Sequence, residues 1–173
     1  MTAIKRGFTL IELLIVIAIL GTLAVVVLLA LNPLQQLART RDAGRQSAVT
    51  QLGHAIEAYA TGRNGTYVTP NATWMTSLQT AGEIATVPSA IAYSIAGIAA
   101  CATNVQNSIC YNSGAAGAAP AIVYARLESQ AQISRCAANQ NAYAVYSTAD
   151  GRGGVVCRAA GSEPVAGAQV FLP

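Results

Sequence analysis

The run FTLIELLIVIAILGTLAVVVLLAL, Phe8 to Leu31, decides the fold. It holds a single charge, Glu12, and everything from Leu13 to Leu31 is uncharged. About 20 apolar residues in an α-helix span the ~30 Å hydrocarbon core of a bilayer. A cleaved secretory signal has a shorter apolar stretch, about 7–15 residues, followed by small residues. Here Asn32-Pro33-Leu34-Gln35-Gln36 follow instead. A buried core helix of this length would need some polar relief. A membrane anchor is the reading that remains.

The whole chain has 173 residues, enough for one domain plus an appendage. It is 53% hydrophobic and only 10% charged, which excludes a disordered chain. A net charge of +3 does not indicate a nucleic-acid binder, so DNA is a partner that bulk electrostatics does not support. One histidine excludes the multi-histidine metal sites. Lys5 and Arg6 precede the apolar run, while Arg39, Arg41 and Arg45 follow it with Asp42, so flanking charge leaves orientation open. All four cysteines, Cys101, Cys110, Cys136 and Cys157, lie beyond the run, and none forms a CxxC pair. Wide spacing and an even number suit disulfides in an oxidising compartment, which places the C-terminal part outside the cytoplasm.

Glu12 is costly in this setting, at roughly 2.5–3.5 kcal/mol near a bilayer centre, and such a residue is functional by default. Its surroundings are specific. Lys5-Arg6-Gly7-Phe8-Thr9-Leu10-Ile11-Glu12-Leu13-Leu14-Ile15 resembles the class III signal of type IV prepilins. In that family a basic leader ends in glycine, and a membrane peptidase cuts after it. The new N-terminal residue, usually phenylalanine, is N-methylated, and the fifth mature residue is glutamate. Gly7, Phe8, Thr9, Leu10 and Glu12 match. The resemblance covers Lys5 to about Tyr67, and the rest matches in organisation only. It implies cleavage between Gly7 and Phe8, methylation of Phe8, and, during assembly, pairing of Glu12 in one subunit with the Phe8 amine of the next. The implied partners are copies of the chain in a filament, the prepilin peptidase/methylase, an inner-membrane assembly platform, and membrane lipids before assembly.

Cleavage would remove Lys5 and Arg6, so +3 minus 2 leaves +1 in side-chain charge. It would also create an amine at the positive end of a helix macrodipole, an unfavourable place that an anionic partner relieves. Within one helix Glu12 is the next-turn neighbour of Phe8.

Helical periodicity continues past the anchor. Val49, Leu52, Ile56 and Tyr59 form one apolar stripe, with Arg39, Asp42, Gln46, Thr50, His54 and Glu57 on the opposite side. Thr61-Gly62 and Asn64-Gly65 supply a stop. A helix from Phe8 to about Thr61 would be roughly 80 Å long. Gly21 and Pro33 are expected to interrupt it, because proline removes a backbone hydrogen bond and glycine weakens the helix. Gly53 lies on the apolar side. Either it admits a close-packed sheet or it is merely tolerated. Asn64-Gly65-Thr66-Tyr67 resembles the segment that leaves the helix in pilins.

Beyond it, Trp74, Leu78 and Ile84 are expected anchors, with a short helix around residues 73–81. Strands are expected at 90–95, 121–127, 142–148 and 154–158, the last two joined at Asp150-Gly151-Arg152-Gly153, a hairpin signature. Gly114 to Pro120 reads as a low-complexity loop. The fold class is therefore α+β: a long N-terminal α-helix, transmembrane in its first half, on a C-terminal antiparallel sheet of about four strands. The expected divisions are a leader 1–7, a transmembrane and filament-core helix 8–31, an amphipathic continuation 32–61 and an extracytoplasmic domain 62–173. Joining Cys136 to Cys157 would fasten the hairpin, and Cys101 to Cys110 would then close an inter-strand loop. Three pairings of four cysteines remain open at this level. Pilins are similar in carrying a disulfide-bounded C-terminal region.

Other features carry less. His54 reads as an exposed helix residue. Gly151-Arg152-Gly153-Gly154 is a turn without a following helix, so it is no phosphate loop. Asn64-Gly65-Thr66 and Asn71-Ala72-Thr73 match a glycosylation pattern only weakly. Arg39, Arg41 and Arg45 suit lipid headgroups or DNA, but a solvated face paired with Asp42 is the simpler account. No nucleophile–base set is present, so no enzyme, cofactor or metal is expected. The resemblance implies a type IV pilus subunit, held in the cytoplasmic membrane and then in an extracellular filament. The alternatives are a pseudopilin of a type II secretion or DNA-uptake system, and a single-span anchored binding domain. Major secretion pseudopilins carry a calcium site, but Glu128, Asp150 and Glu163 are far apart in sequence, with no oxygen-rich loop.

Overall fold

In the computed structural model, residues 7–114 and 117–173 are described. Lys5 and Arg6 of the leader, and Ala115-Ala116 of the glycine–alanine loop, lie outside the described residues. The chain forms two compact units, residues 1–36 and 37–173.

The first unit is built on helix α1, Leu10–Leu31. Leu10–Leu28 is long and apolar enough to cross a membrane, with a mean hydropathy of 2.9 and no burial. The helix starts at a capping box: Thr9 Oγ1 accepts from the Glu12 N–H, and Glu12 reaches back to the Thr9 N–H. It runs through Gly21, so the interruption expected there is not a feature of this isolated chain. One glycine costs only about 1 kcal/mol relative to alanine, and its N–H still donates. The interruption falls at Asn32, which adopts the left-handed conformation (φ 42°) as the C-cap of α1. Pro33 disfavours helical geometry in the residue before it, and asparagine tolerates φ > 0. The single helix from Phe8 to Thr61 is thus two, because α2 begins at Pro33 and ends at Thr61.

In the second unit α2 lies on a sheet. Helix α3 (Trp74–Thr80) follows, then β1 (Cys110–Ser113), β2 (Ala121–Arg126), the one-turn α4 (Gln130–Ile133), β3 (Gln140–Ser147) and β4 (Arg152–Ala159). The sheet is antiparallel in the order β1-β2-β3-β4. Alternation along β2 sorts its side chains. Val123 and Ala125 join Val49, Leu52, Ile56, Trp74 and Leu78 in the main core, while Ile122 and Tyr124 enter a smaller cluster on the other face. The last residues cover that second face: Phe171 bridges to Val156, and the Leu172 N–H donates to the Val155 carbonyl at 2.8 Å.

The fold class is α+β and pilin-like, a helix on a four-stranded antiparallel sheet. Two details differ from the sequence expectation. Residues 90–95 are not a strand, and the first strand is Cys110–Ser113. The backbone of 91–95 is engaged by side chains, as described below, and has no ladder to join. The sequence Cys-Tyr-Asn-Ser lacks an apolar alternation, so its pairing with β2 supplies what its composition does not.

Gly53 is settled as a site of close approach. The Tyr146 ring lies against its backbone so tightly that a Cβ there would overlap the ring. Both disulfides are formed, Cys101–Cys110 across 9 residues and Cys136–Cys157 across 21.

Candidate functional site

Gly7 and Phe8 stand ahead of α1, both exposed, Phe8 by 76%. A Cβ on Gly7 would meet nothing within 4 Å, and its φ is not in the left-handed region. Packing among the described residues therefore does not demand glycine at this position. Glu12 Oε2 accepts from the Thr9 N–H at 2.8 Å and from Thr9 Oγ1 at 2.7 Å. Both contacts fall on one carboxylate oxygen, and among the described residues no donor meets Oε1. Phe8, Thr9 and Glu12 thus form one exposed surface at the head of the apolar helix, with an anionic group one turn from the point where a cleaved chain would begin.

A second charged constellation lies in the globular unit, and the sequence reading missed it. Asp42 and Arg45, placed on the solvated side of α2 by that reading, are 1% and 0% exposed, and Glu128 is 1% exposed. Arg45 Nη1 contacts Asp42 Oδ1 at 2.8 Å and Glu128 Oε1 at 3.0 Å, and Arg41 Nε contacts the same Glu128 oxygen at 2.6 Å. Arg41 also donates to Ser94 Oγ. The loop expected to be a strand closes over this group. The carbonyls of Ile91 and Ala92 accept from Arg45, the N–H groups of Ser94 and Ile95 donate to Glu128 Oε2, and the Tyr93 ring packs 3.8 Å from the Arg45 guanidinium carbon. Asp42 in turn accepts from the N–H groups of Glu128 and Ser129.

The electrostatics follow from this geometry. Burial pushes the Glu128 carboxyl up, but the bonds from Arg41, Ser94, Arg45 and Ile95 outweigh it and hold the group at about 2. Burial raises the Tyr93 hydroxyl to about 12, against the pull of Arg45. The sequence did hold a signal. Ala38, Asp42, Arg45, Val49, Leu52 and Ile56 are all buried and spaced by 4, 3, 4, 3 and 4, so the stripe continues backward through two charged residues.

Two further groups close the domain. Tyr146 donates to Glu57 Oε2 at 2.8 Å, with His54 Nδ1 at 3.3 Å from the same hydroxyl, while His54 itself is largely exposed. Glu163 accepts from the N–H groups of Ala102 and Thr103 and from Tyr124 Oη, tying the C-terminal segment to the Cys101–Cys110 loop. Glu128, Asp150 and Glu163 have separate partners, and the described residues hold no group of three or more His, Cys, Asp or Glu suited to a metal ion.

Residues 3–28 match the prokaryotic N-terminal methylation motif. No curated protein and no solved structure matches the chain. The N-terminal segment is thus the class III prepilin signal of type IV pilins and pseudopilins, and it spans Gly7, Phe8, Glu12 and most of α1. The motif is that of type IV pilins and pseudopilins, and here it lies on a helix whose Leu10–Leu28 stretch is long and apolar enough to cross a membrane.

Proposed function

We propose that the chain is a pilin, cut between Gly7 and Phe8 by a prepilin peptidase, N-methylated at Phe8, and polymerised through its apolar helix into a type IV pilus. The observation that carries this reading is the methylation motif seated on a helix whose apolar side chains are exposed from Leu10 onward. Apolar surface of that extent is stable only in lipid or against other copies of itself. Gly7 supports the processing step. No packing among the described residues calls for its small size, which suits an enzyme that draws the backbone into a narrow cleft.

In this reading residues 1–7 are the leader, 8–31 the transmembrane and then filament-core segment, 32–61 the amphipathic continuation and 62–173 the extracellular domain. The assembly platform receives the processed chain from the membrane. Cleavage would leave the Phe8 ammonium beside a carboxylate whose Oε1 meets no donor among the described residues. An ammonium from the next subunit can then take that oxygen without dismantling the Thr9 cap on Oε2. At 4 Å and an effective dielectric near 20 such a pair is worth about 4 kcal/mol before desolvation, comparable with the cost of placing Glu12 in the apolar layer.

The test is mass spectrometry of the chain's N-terminus, together with electron microscopy of sheared surface material and peptide identification. Filaments made of this chain and beginning at methylated Phe8 are expected. A surface-anchored chain still bearing Met1 would overturn the reading. Replacing Gly7 with leucine should leave the leader attached, and a mature chain starting at Phe8 from that strain would contradict the proposed cleavage.

A further inference from the structure

Three arginines, Arg39, Arg41 and Arg45, follow closely on the apolar run, and the structure treats them differently. Arg41 and Arg45 are neutralised internally by Glu128 and Asp42. Arg39 is exposed and has no ion pair or hydrogen bond among the described residues. It lines a surface pocket of about 500 Å³ with Gln46, Ser129, Gln132 and Asp42. Ser129 is 1% exposed, and its Oγ is buried with no hydrogen-bond partner. A buried hydroxyl in that state carries a desolvation cost that a bound acceptor would relieve. Asp42 does not make the pocket anionic, because its charge is matched by Arg45 and its oxygens accept the N–H groups of Glu128 and Ser129. Besides the paired Asp42, the residues lining the pocket bring one unmatched guanidinium, one unsatisfied hydroxyl and two primary amides. That donor set suits a tetrahedral oxyanion.

The tether says which oxyanion. Arg39 follows Leu31 by eight residues, so in an anchored chain it lies no more than about 28 Å from the end of the apolar run. We propose that the pocket holds the phosphate of an anionic phospholipid headgroup while the chain is membrane-anchored, with Arg39 as the charged contact and Ser129, Gln46 and Gln132 as hydrogen-bond donors. The proposal rests on the membrane-anchored stage of the reading above, and it makes Arg39 the group released when a subunit leaves the membrane.

The test uses the full chain in nanodiscs of phosphatidylcholine and phosphatidylglycerol in equal parts, with native mass spectrometry of the chain–lipid complexes ejected from them. Phosphatidylglycerol should be retained in about five-fold excess, the preference expected for one arginine at a membrane surface. Arg39→Ala should bring the ratio to unity and Ser129→Ala should lower it, whereas Arg63→Ala should leave it unchanged. An excess unaltered in Arg39→Ala overturns the proposal. So does retention of added inorganic phosphate without preference between the two lipids, which would mark a free-phosphate site. A chain that enters the discs but shows no preference refutes this inference alone. A chain that never enters them refutes the anchored stage as well.

Discussion

Two carboxylates divide this molecule. Glu12 lies at the head of an exposed apolar helix, and Glu128 lies buried in the domain. Glu12 is satisfied by a single neighbour three residues away, with one oxygen occupied. Glu128 is satisfied by two arginines from a distant part of the chain and by two backbone N–H groups from a loop. The first is locally capped, with one oxygen that meets no donor among the described residues. The second is fully used by its own chain. An acidic residue in apolar sequence invites a partner, but only the completeness of its hydrogen bonding tells whether that partner lies inside the subunit or outside it.

The comparison breaks most visibly at Glu12. Glu12→Gln keeps the shape and the capping bonds but removes the charge. Filament yield should fall at least ten-fold while cleavage after Gly7 continues, as measured by filament quantification beside N-terminal mass spectrometry. Normal yield would mean that Glu12 acts through its cap and not through an intersubunit pair.

Glu128 should show the opposite profile, with stability lost and processing unaffected. Glu128→Gln leaves Arg41 and Arg45 facing a neutral group, and removal of one partner from a buried ion pair costs about 3–5 kcal/mol. Thermal unfolding of the full chain in detergent, followed by near-ultraviolet circular dichroism, should report it. A change below about 1 kcal/mol would show that the network is dispensable.

Acid provides the same contrast without a mutation. The Glu128 carboxyl is held at about 2, below its ordinary 4.5, so its contribution is fully present above pH 4.5 and is lost as pH falls through 2. The difference is worth about 3 kcal/mol. Denaturant midpoints should be flat from neutrality to about pH 5 and then decline. The decline should be clearly shallower in Glu128→Gln.

The disulfides give effects no larger than these and test the domain alone. In the chain-entropy account, opening Cys136–Cys157 costs about 3 kcal/mol and opening Cys101–Cys110 slightly less, because its loop is shorter. Thiol titration of the unfolded, unreduced chain should find almost no free cysteine. Four titratable thiols would remove the argument for an oxidising compartment.

The sequence alone determined the long apolar helix, because a run from Phe8 to Leu31 with a single charge is written in neighbouring residues. It also carried the methylation motif, within which Gly7, Phe8 and Glu12 fall at fixed offsets. Three strands were legible for a local reason too: β-branched and aromatic residues alternate there and a glycine turn joins the last two. Tertiary structure decided what depends on distant contacts. Residues 90–95 alternate like a strand, yet Arg45 and Glu128 take their carbonyls and N–H groups first. Asp42 and Arg45 look like solvated helix charges, yet they continue the buried stripe. Arg45 pairs with Asp42 and with Glu128, which the chain delivers from β2's far end, and Asp42 accepts that segment's N–H groups. Gly53 looked tolerable either way until Tyr146 lay on it. A helix or a signal peptide is written in neighbouring residues. A buried charge is acceptable only through partners far along the chain, and those partners become neighbours only when the sheet has formed.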